Sequence, residues 1–311
     1  MLTLIIPCAG RNFINNQPRW TLKYSDTDSL LSRCIKKIGL KYYDRIIITI
    51  LKNDLIFKSQ LKAVKDLNSK IEFCVLNNET NGPAETVYQT IIKMNIKGSI
   101  QIKDIDIIFE MPKNNGNFIS GIHLLNYNSD LKNVRNKSFI TRNENNVVMD
   151  IIEKNVKSDI ISIGLYGFLN SNEYVNAYLK LKDSFSIKDK IYVSHVISYL
   201  IGVDNKIFDF EEIKEYETFE SEKDYNSSIK KRGTYIIDGK SINILNYINE
   251  LKILNSNCGK IIIIVDDSKL NDISNIIKIN GLTNIVIING PLNNLFIQND
   301  DELKEVYLNA I

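Results

Sequence analysis

Two short stretches of this 311-residue chain carry side chains suited to phosphate chemistry. Lys103-Asp104-Ile105-Asp106 closes the apolar run GSIQIK, which reads as a strand. Residues two apart on a strand face the same side, so both carboxylates would project together from its end. Two hard oxygen donors in a crevice suit Mg²⁺, which binds through one or two carboxylates plus substrate phosphates. A solvated acidic turn has the same spacing, and spacing alone favours that reading. Pro7-Cys8-Ala9-Gly10-Arg11-Asn12 follows another apolar run, LTLIIP. A strand turning through small residues presents backbone N–H groups that can hold phosphate. A purely structural turn fits this stretch equally well.

The elements that would position these groups alternate along the first hundred residues. LTLIIP, DRIIITIL, IEFCVL and GSIQIK read as strands, and DSLLSRCIKKIGL, LIFKSQLKAVKDL and PAETVYQTIIKM as helices, the last with Pro83 in its first turn. Repeating strand–helix units with fully apolar strands imply an α/β, Rossmann-like, mainly parallel sheet covered by helices. Ligands then bind beyond the C-terminal strand ends. After Asp106 the strands become more polar: FISGIHLL, NKSFITR, NVVMDIIEK and ISIGLYGF suit an antiparallel extension over the site. The helix-like IYVSHVISYLIG follows them. From Thr234 a second α/β unit is expected, with strands TYIID, KIIIIVDD and NIVIING and helices INILNYINELKIL, KLNDISNIIKI and DDELKEVYLNA. The expected domains are 1–228 and 234–311.

Composition narrows the function. With 39 Lys+Arg against 37 Asp+Glu the net charge is +2, too near neutral for a dedicated nucleic-acid or membrane-surface binder. Any polyanion is expected to be small and held in a pocket. Cys8, Cys34, Cys74 and Cys258 form no CxxC pair, which argues against a zinc site or a secreted disulfide frame. No apolar stretch reaches the length of a membrane span and the chain opens on a strand, so a cytoplasmic protein without membrane insertion is predicted.

PCAGRN, QPRWTL at 17–22, NGPAETV at 81–87, KDIDIIF at 103–109 and IIEK at 151–154 followed by ISIGLYGF stand in one order. Together they resemble the sugar-phosphate nucleotidyltransferases, most closely those of capsule and surface-polysaccharide pathways. The resemblance covers residues 1 to about 226. It implies the nucleotidyltransferase fold, transfer from a nucleoside triphosphate (CTP favoured) to a sugar or polyol phosphate, release of pyrophosphate, and Mg²⁺ as cofactor. Carried onto this chain, Pro7, Ala9, Gly10, Arg11, Asn81, Gly82, Pro83 and Asp104 would meet the nucleotide. Arg19 stands where the family usually has a phosphate-contacting lysine, and Asp106 matches the metal aspartate, with Asp104 beside it. Glu153 and Lys154 match the pair that holds the sugar phosphate, and Gly164 the glycine lining the sugar pocket. Arg11, Arg19, Asp106 and Lys154 are thus the expected catalytic groups.

Departures from the pattern are specific. Asn12 and Ile14 occupy places where the family loop usually carries glycine and arginine, with Arg11 available as a substitute charge. The later W-x-D-x-G-T segment is matched locally by Tyr216-Glu217-Thr218-Phe219-Glu220-Ser221, which sets Thr218 opposite the aspartate and nominates Glu217, one place away, as the further metal ligand. His123 and His195 fit local hydrogen bonding, though His195 could instead reach the sugar. Trp20 is expected to pack on the loop or shape the acceptor pocket.

The second unit resembles a shortened haloacid dehalogenase-like domain, in which Ile236 stands at the nucleophile position and Asp238 keeps the second aspartate. Val265 stands near the Thr position, Gly290-Pro291 replaces Lys-Pro, and Asp300-Asp301 remain of the late acidic pair. An isoleucine cannot attack phosphorus, so a structural or oligomer-forming role is expected, and a homodimer is a possible assembly. The other readings are dTTP or UTP with a hexose 1-phosphate, and a non-catalytic scaffold. The four acidic and basic residues Asp104, Asp106, Glu153 and Lys154 argue against the last.

Overall fold

A computed structural model describes residues 1–10, 13–14, 17–25, 28–127, 131–186, 189–230, 234–238, 260–265, 267–279 and 285–289. The chain forms two compact units: Met1–Lys23 with Asp28–Glu220, and Tyr24–Thr27 with Ser221–Ile311.

The first unit is built on a nine-stranded sheet. Its strands are β1 (Leu2–Pro7), β2 (Arg45–Leu51), β3 (Ile71–Leu76), β4 (Ser99–Lys103), β5 (Phe118–His123), β6 (Ser138–Arg142), β7 (Val148–Glu153), β8 (Ile160–Phe168) and β9 (Asp209–Glu212). The main path runs β7-β6-β8-β4-β1-β2-β3, and β5 pairs with β8 and β9. The strands β4, β1, β2 and β3 are mutually parallel. Their continuous apolar runs follow from this, because helices cover both faces and Leu4, Ile5, Ile6 and Ile46 to Ile48 are wholly buried.

Antiparallel pairing begins at β8, which is buried along all nine residues and meets β4, β5 and β6. The polar alternation seen after Asp106 thus belongs to an antiparallel extension. The sheet is mixed, and parallel on its β4-β1-β2-β3 side, as the sequence led us to expect.

The helices of this unit are α1 (Leu30–Lys37), α2 (Lys58–Lys65), α3 (Pro83–Lys93), α4 (Ser171–Ser184) and α5 (Val193–Gly202). Ser29 caps α1 by accepting from Ser32 N at 3.2 Å. The sequence reading passed over α4. Its buried face is Ser171, Tyr174, Ala177 and Tyr178, which has no aliphatic stripe to announce a helix. Aromatic contact replaces that stripe: Tyr178 stacks on Tyr88 of α3 at 4.7 Å between ring centroids.

The second unit contains α6 (Glu222–Lys230), β10 (Thr234–Asp238), β11 (Lys260–Val265), α7 (Asp267–Ile279) and β12 (Ile285–Asn289). Its three strands are parallel in the order β10-β11-β12, with Ile236 opposite Ile262 and Asp238 opposite Ile264. The helices expected over INILNYINELKIL and DDELKEVYLNA lie outside the described residues, as do Gly290-Pro291 and Asp300-Asp301.

Candidate active site

A cleft of about 860 Å³ opens at the C-terminal ends of β1 and β4. That is the edge where parallel sheets present ligand sites, and the volume suits a nucleotide-sized ligand. Three groups of residues build it.

The loop after β1 supplies Pro7, Cys8, Ala9 and Gly10. It is tied to β2 by Cys8 N donating to Thr49 O at 2.8 Å. Arg11 and Asn12 lie outside the described residues. Across the opening stand Asn81, Gly82 and Pro83, at the start of α3. Gly82 has φ +146°, and a Cβ there would sit 2.7 Å from Ile191 O, so glycine lets the helix start close to the α5 approach. The N-terminus of α3 therefore faces the cleft with its partial positive charge.

The acidic floor is Asp104 and Asp106, immediately after β4. Burial, with the neighbouring Asp106 carboxylate, pushes the Asp104 carboxyl up to about 7. Burial acts on Asp106 too, but the charges of Arg19, Lys137 and Lys103 outweigh it and hold that carboxyl below its usual range. Arg19 Nη1 lies 2.9 Å from Asp106 Oδ2, and its Nη2 donates to Glu220 O at 2.8 Å. Behind the turn, the buried Lys103 ammonium donates to the carbonyls of Asp104 and Ile107. Gly164 closes over this floor. Its φ is +74°, its carbonyl accepts from Asp104 N at 2.8 Å, and a Cβ would meet Asp104 Oδ2 at 2.5 Å. The β8–β5 ladder breaks register here, between Ser162 and Tyr166.

The third group comes from β6 and β7. Glu153 accepts from Ser138 Oγ and, at 2.6 Å, from Ser194 Oγ of α5. Lys154 follows with φ +55°, a left-handed turn that lets two successive side chains serve one cleft. Its Nζ lies 4.1 Å from the Tyr192 ring centroid and donates to the Tyr192 hydroxyl.

Of the residues nominated from sequence, Pro7, Ala9, Gly10, Arg19, Asn81, Gly82, Pro83, Asp104, Asp106, Glu153, Lys154 and Gly164 converge on this cleft. Two stand elsewhere. Glu217 pairs with Arg33, Oε1 to Nη2 at 3.1 Å, and does not line the cleft. The carboxylate that this segment sends in belongs to Glu220, held by Lys137, by Tyr127 OH at 2.7 Å and by Thr218 Oγ1 at 3.3 Å. The physical reason is strand alternation. Glu217 and Thr218 pair with Ile107 and Ile108, and the chain then turns so that Phe219 is buried and Glu220 faces Arg19. His195 also lies outside the cleft lining: its Nδ1 accepts from Tyr192 N at 3.2 Å, capping α5. His123 pairs with Asp159 at 3.2 Å. Sequence reasoning missed Lys137, Ser138 and Ser194, whose polar types at strand and helix starts carry no signal until the elements meet.

No protein-family profile matches the chain, and no curated protein matches it in sequence. Solved structures do match. A nucleoside-diphosphate-sugar pyrophosphorylase from Vibrio cholerae aligns over 72% of this chain and 98% of its own, at TM-score 0.59 and 20% identity. The inositol-1-phosphate CTP transferase of T. maritima aligns over 73% and 92%, at TM-score 0.55 and 16% identity. A UDP-glucose pyrophosphorylase solved with UDP-glucose aligns over 73% and 96%, at TM-score 0.56 and 13% identity. The chain has the nucleotidyltransferase fold. Identity at this level establishes the fold, and chemistry must be argued from the site. In the nucleotidyltransferase fold of this chain, the loop after β1, the start of α3, the aspartates after β4 and the β6–β7 corner share one opening.

Asp104 and Asp106 supply hard oxygen donors fit for Mg²⁺, and one of the two is held ionised. Among the described residues no group of three or more His, Cys, Asp and Glu is gathered to hold a metal by itself. A two-carboxylate site completed by substrate phosphates fits that donor set.

Proposed function

We propose that this protein transfers a nucleotidyl group from a nucleoside triphosphate to a sugar phosphate or sugar-alcohol phosphate and releases pyrophosphate. The observation that carries the reading is the meeting of Asp104 and Asp106 with Arg19, Lys154 and the N-terminus of α3 in one cleft. Pyrophosphate release needs charge neutralisation around the α-phosphorus and a second phosphate aligned to attack it, with no protein nucleophile.

The roles follow from position. The loop Pro7 to Gly10 and residues Asn81 to Pro83 take the nucleotide, with the positive end of the α3 dipole toward it. Arg19 neutralises the triphosphate, and the family resemblance gives Arg11 the same role. Lys154 binds the acceptor phosphate, and Glu153, fixed by Ser138 and Ser194, orients acceptor hydroxyls. Gly164 keeps β8 close enough for the acceptor to lie over Asp104. Asp104 and Asp106, completed by substrate phosphates, would hold Mg²⁺. When bound, the metal supplies Lewis-acid stabilisation of the phosphate oxygens.

CTP is the favoured donor because of the resemblance to capsule-type members, with UTP and dTTP as the alternatives; an NDP-sugar or CDP-polyol for surface polysaccharide would be the product. One assay tests these points: each triphosphate with Mg²⁺ and a panel of sugar and polyol phosphates, read by pyrophosphate release. Turnover with one donor–acceptor pair is expected. No release with any pair, together with no Mg²⁺-dependent thermal shift by any triphosphate, would sink the reading.

A further inference from the structure

Glu153 and Lys154 are neighbours of opposite charge, yet they do not close on one another. Lys154 Nζ stands 3.9 Å from Glu153 Oε1, beyond hydrogen-bond reach. On an extended strand two successive side chains would point to opposite faces, and their separation would need no further cause. Here the φ of +55° at Lys154 brings both into one cleft, so other groups must keep them apart.

The start of α5 acts on both charges. Ser194 Oγ, from the second residue of the helix, donates to Glu153 Oε2 at 2.6 Å. Ser138 Oγ, at the start of β6, donates to the same oxygen, so neither hydroxyl takes Oε1. Ser194 and Ser138 are 1% and 7% exposed, which leaves water little access to these bonds. Tyr192, just before α5, draws the opposite charge. Lys154 Nζ lies 4.1 Å from its ring centroid and donates to its hydroxyl. The Lys154 side chain is 42% exposed, where pairing with a carboxylate gains little and a ring face with a hydroxyl can outcompete it. Tyr192 is itself held in place: its N donates to His195 Nδ1 at 3.2 Å, and its ring meets the His195 ring edge-on at 5.6 Å. Next to it, Ile191 O accepts from Ala84 N at 3.2 Å and ties the segment to α3.

We propose that Tyr192 and Ser194 are positioning residues for the acceptor, holding the Lys154 ammonium and the Glu153 carboxylate apart so that one charge of each sign stays open to a ligand. The proposal rests on the nucleotidyl-transfer reading. The acceptor phosphate then meets Lys154, and a hydroxyl near it donates to Glu153 Oε1, the oxygen that no serine occupies. Without Tyr192 the ammonium would fall onto that oxygen, and each charge would neutralise the other.

Steady-state kinetics of the full-length chain test this, with the donor–acceptor pair that releases pyrophosphate in the panel assay. Tyr192→Leu is expected to raise the acceptor KM about tenfold, the worth of one hydrogen bond to a charged group, with the triphosphate KM within about twofold of wild type. Tyr192→Phe keeps the ring, loses the hydroxyl and gives a smaller rise. Ser194→Ala loosens Glu153 from the other side and raises the acceptor KM likewise. The decisive measurement is a cycle with Glu153→Gln, which removes the charge that would capture Lys154. In the wild-type background Glu153→Gln raises the acceptor KM. In the Tyr192→Leu background it lowers that KM or leaves it unchanged, because Lys154 is released to the phosphate. Effects that simply multiply overturn the proposal, since a merely structural Tyr192 would act independently of the charge on Glu153. An unchanged acceptor KM in Tyr192→Leu, or a rise shared equally by both substrates, overturns it too. If Tyr192→Leu does not fold, the same cycle on Tyr192→Phe decides. A wild-type protein that releases no pyrophosphate with any pair and binds no triphosphate with Mg²⁺ overturns the transfer reading and this proposal together; turnover with multiplying effects overturns the proposal alone.

Discussion

Asp104 and Asp106 sit two residues apart, and their surroundings drive them in opposite directions. Arg19, Lys137 and Lys103 keep Asp106 ionised, while burial keeps a proton on Asp104 up to about pH 7. Asp106→Asn removes the ionised partner, and turnover is expected to fall on the order of 10³-fold, about 4 kcal/mol of transition-state stabilisation. Steady-state pyrophosphate release checks this; near-wild-type rates would contradict the assignment. Asp104 predicts a pH effect. Its carboxyl must lose its proton to bind a cation, so below about pH 7 the proton competes and the cation is displaced. Affinity for Mn²⁺ is expected to drop roughly tenfold per pH unit below that point and to level off above it. Calorimetry at pH 6 in buffers of different ionisation enthalpy would show about one proton released per cation bound. No release at pH 6 would refute it.

At the scale of elements, the site depends on one strand and one helix start. Gly164 lets β8 break register beside Asp104, and Gly164→Ala puts a methyl within 2.5 Å of a carboxylate oxygen at a φ of +74°. Strain of this kind costs about 1–3 kcal/mol, so the denaturation midpoint should fall, with activity lost further because Asp104 is displaced. The helix start is that of α5, capped by His195 Nδ1. His195→Leu is expected to lose about 1 kcal/mol, the usual worth of such a cap. The sign of its pH dependence follows from burial, which lowers the folded-state pKa below 6.5. Below pH 6.5 the unfolded chain binds the proton more readily, so native stability declines as pH falls through 6.5 until the folded pKa is passed. Thermal melts at pH 7.5 and 5.5 should separate less in His195→Leu than in wild type.

At the scale of the whole molecule, every described residue lining the cleft belongs to the first unit, which ends at Glu220. The fragment 1–228 is therefore expected to keep a Mg²⁺-dependent thermal shift with its preferred triphosphate, about 2.7 kcal/mol at a hundredfold excess over Kd. A fragment that melts normally but no longer responds would mean that the second unit completes the site. For that unit, the resemblance that sets Ile236 at the nucleophile position of a haloacid dehalogenase-like domain predicts no phosphatase turnover by the full-length protein with a sugar phosphate and Mg²⁺. No helix among the described residues is long and apolar enough to cross a membrane.

Periodicity in the sequence determined the parallel half of the sheet. Runs such as LTLIIP and RIIITIL are apolar on both faces, and only strands covered by helices on each side bury both. The order of motifs, through a family resemblance, likewise pointed to the β1 loop, the start of α3, the aspartates and the Glu153–Lys154 corner, which line one cleft. Helix α4 escaped because its inward face is aromatic and small rather than aliphatic. The choice between Glu217 and Glu220 was decided only by tertiary structure: both are carboxylates in one short segment, and what separates them is a two-residue ladder with Ile107 and Ile108 that commits Glu217 to Arg33 and turns Glu220 toward Arg19 and Lys137. Charge pairing across more than eighty residues leaves no periodic trace in a sequence, since it depends on where distant strands end.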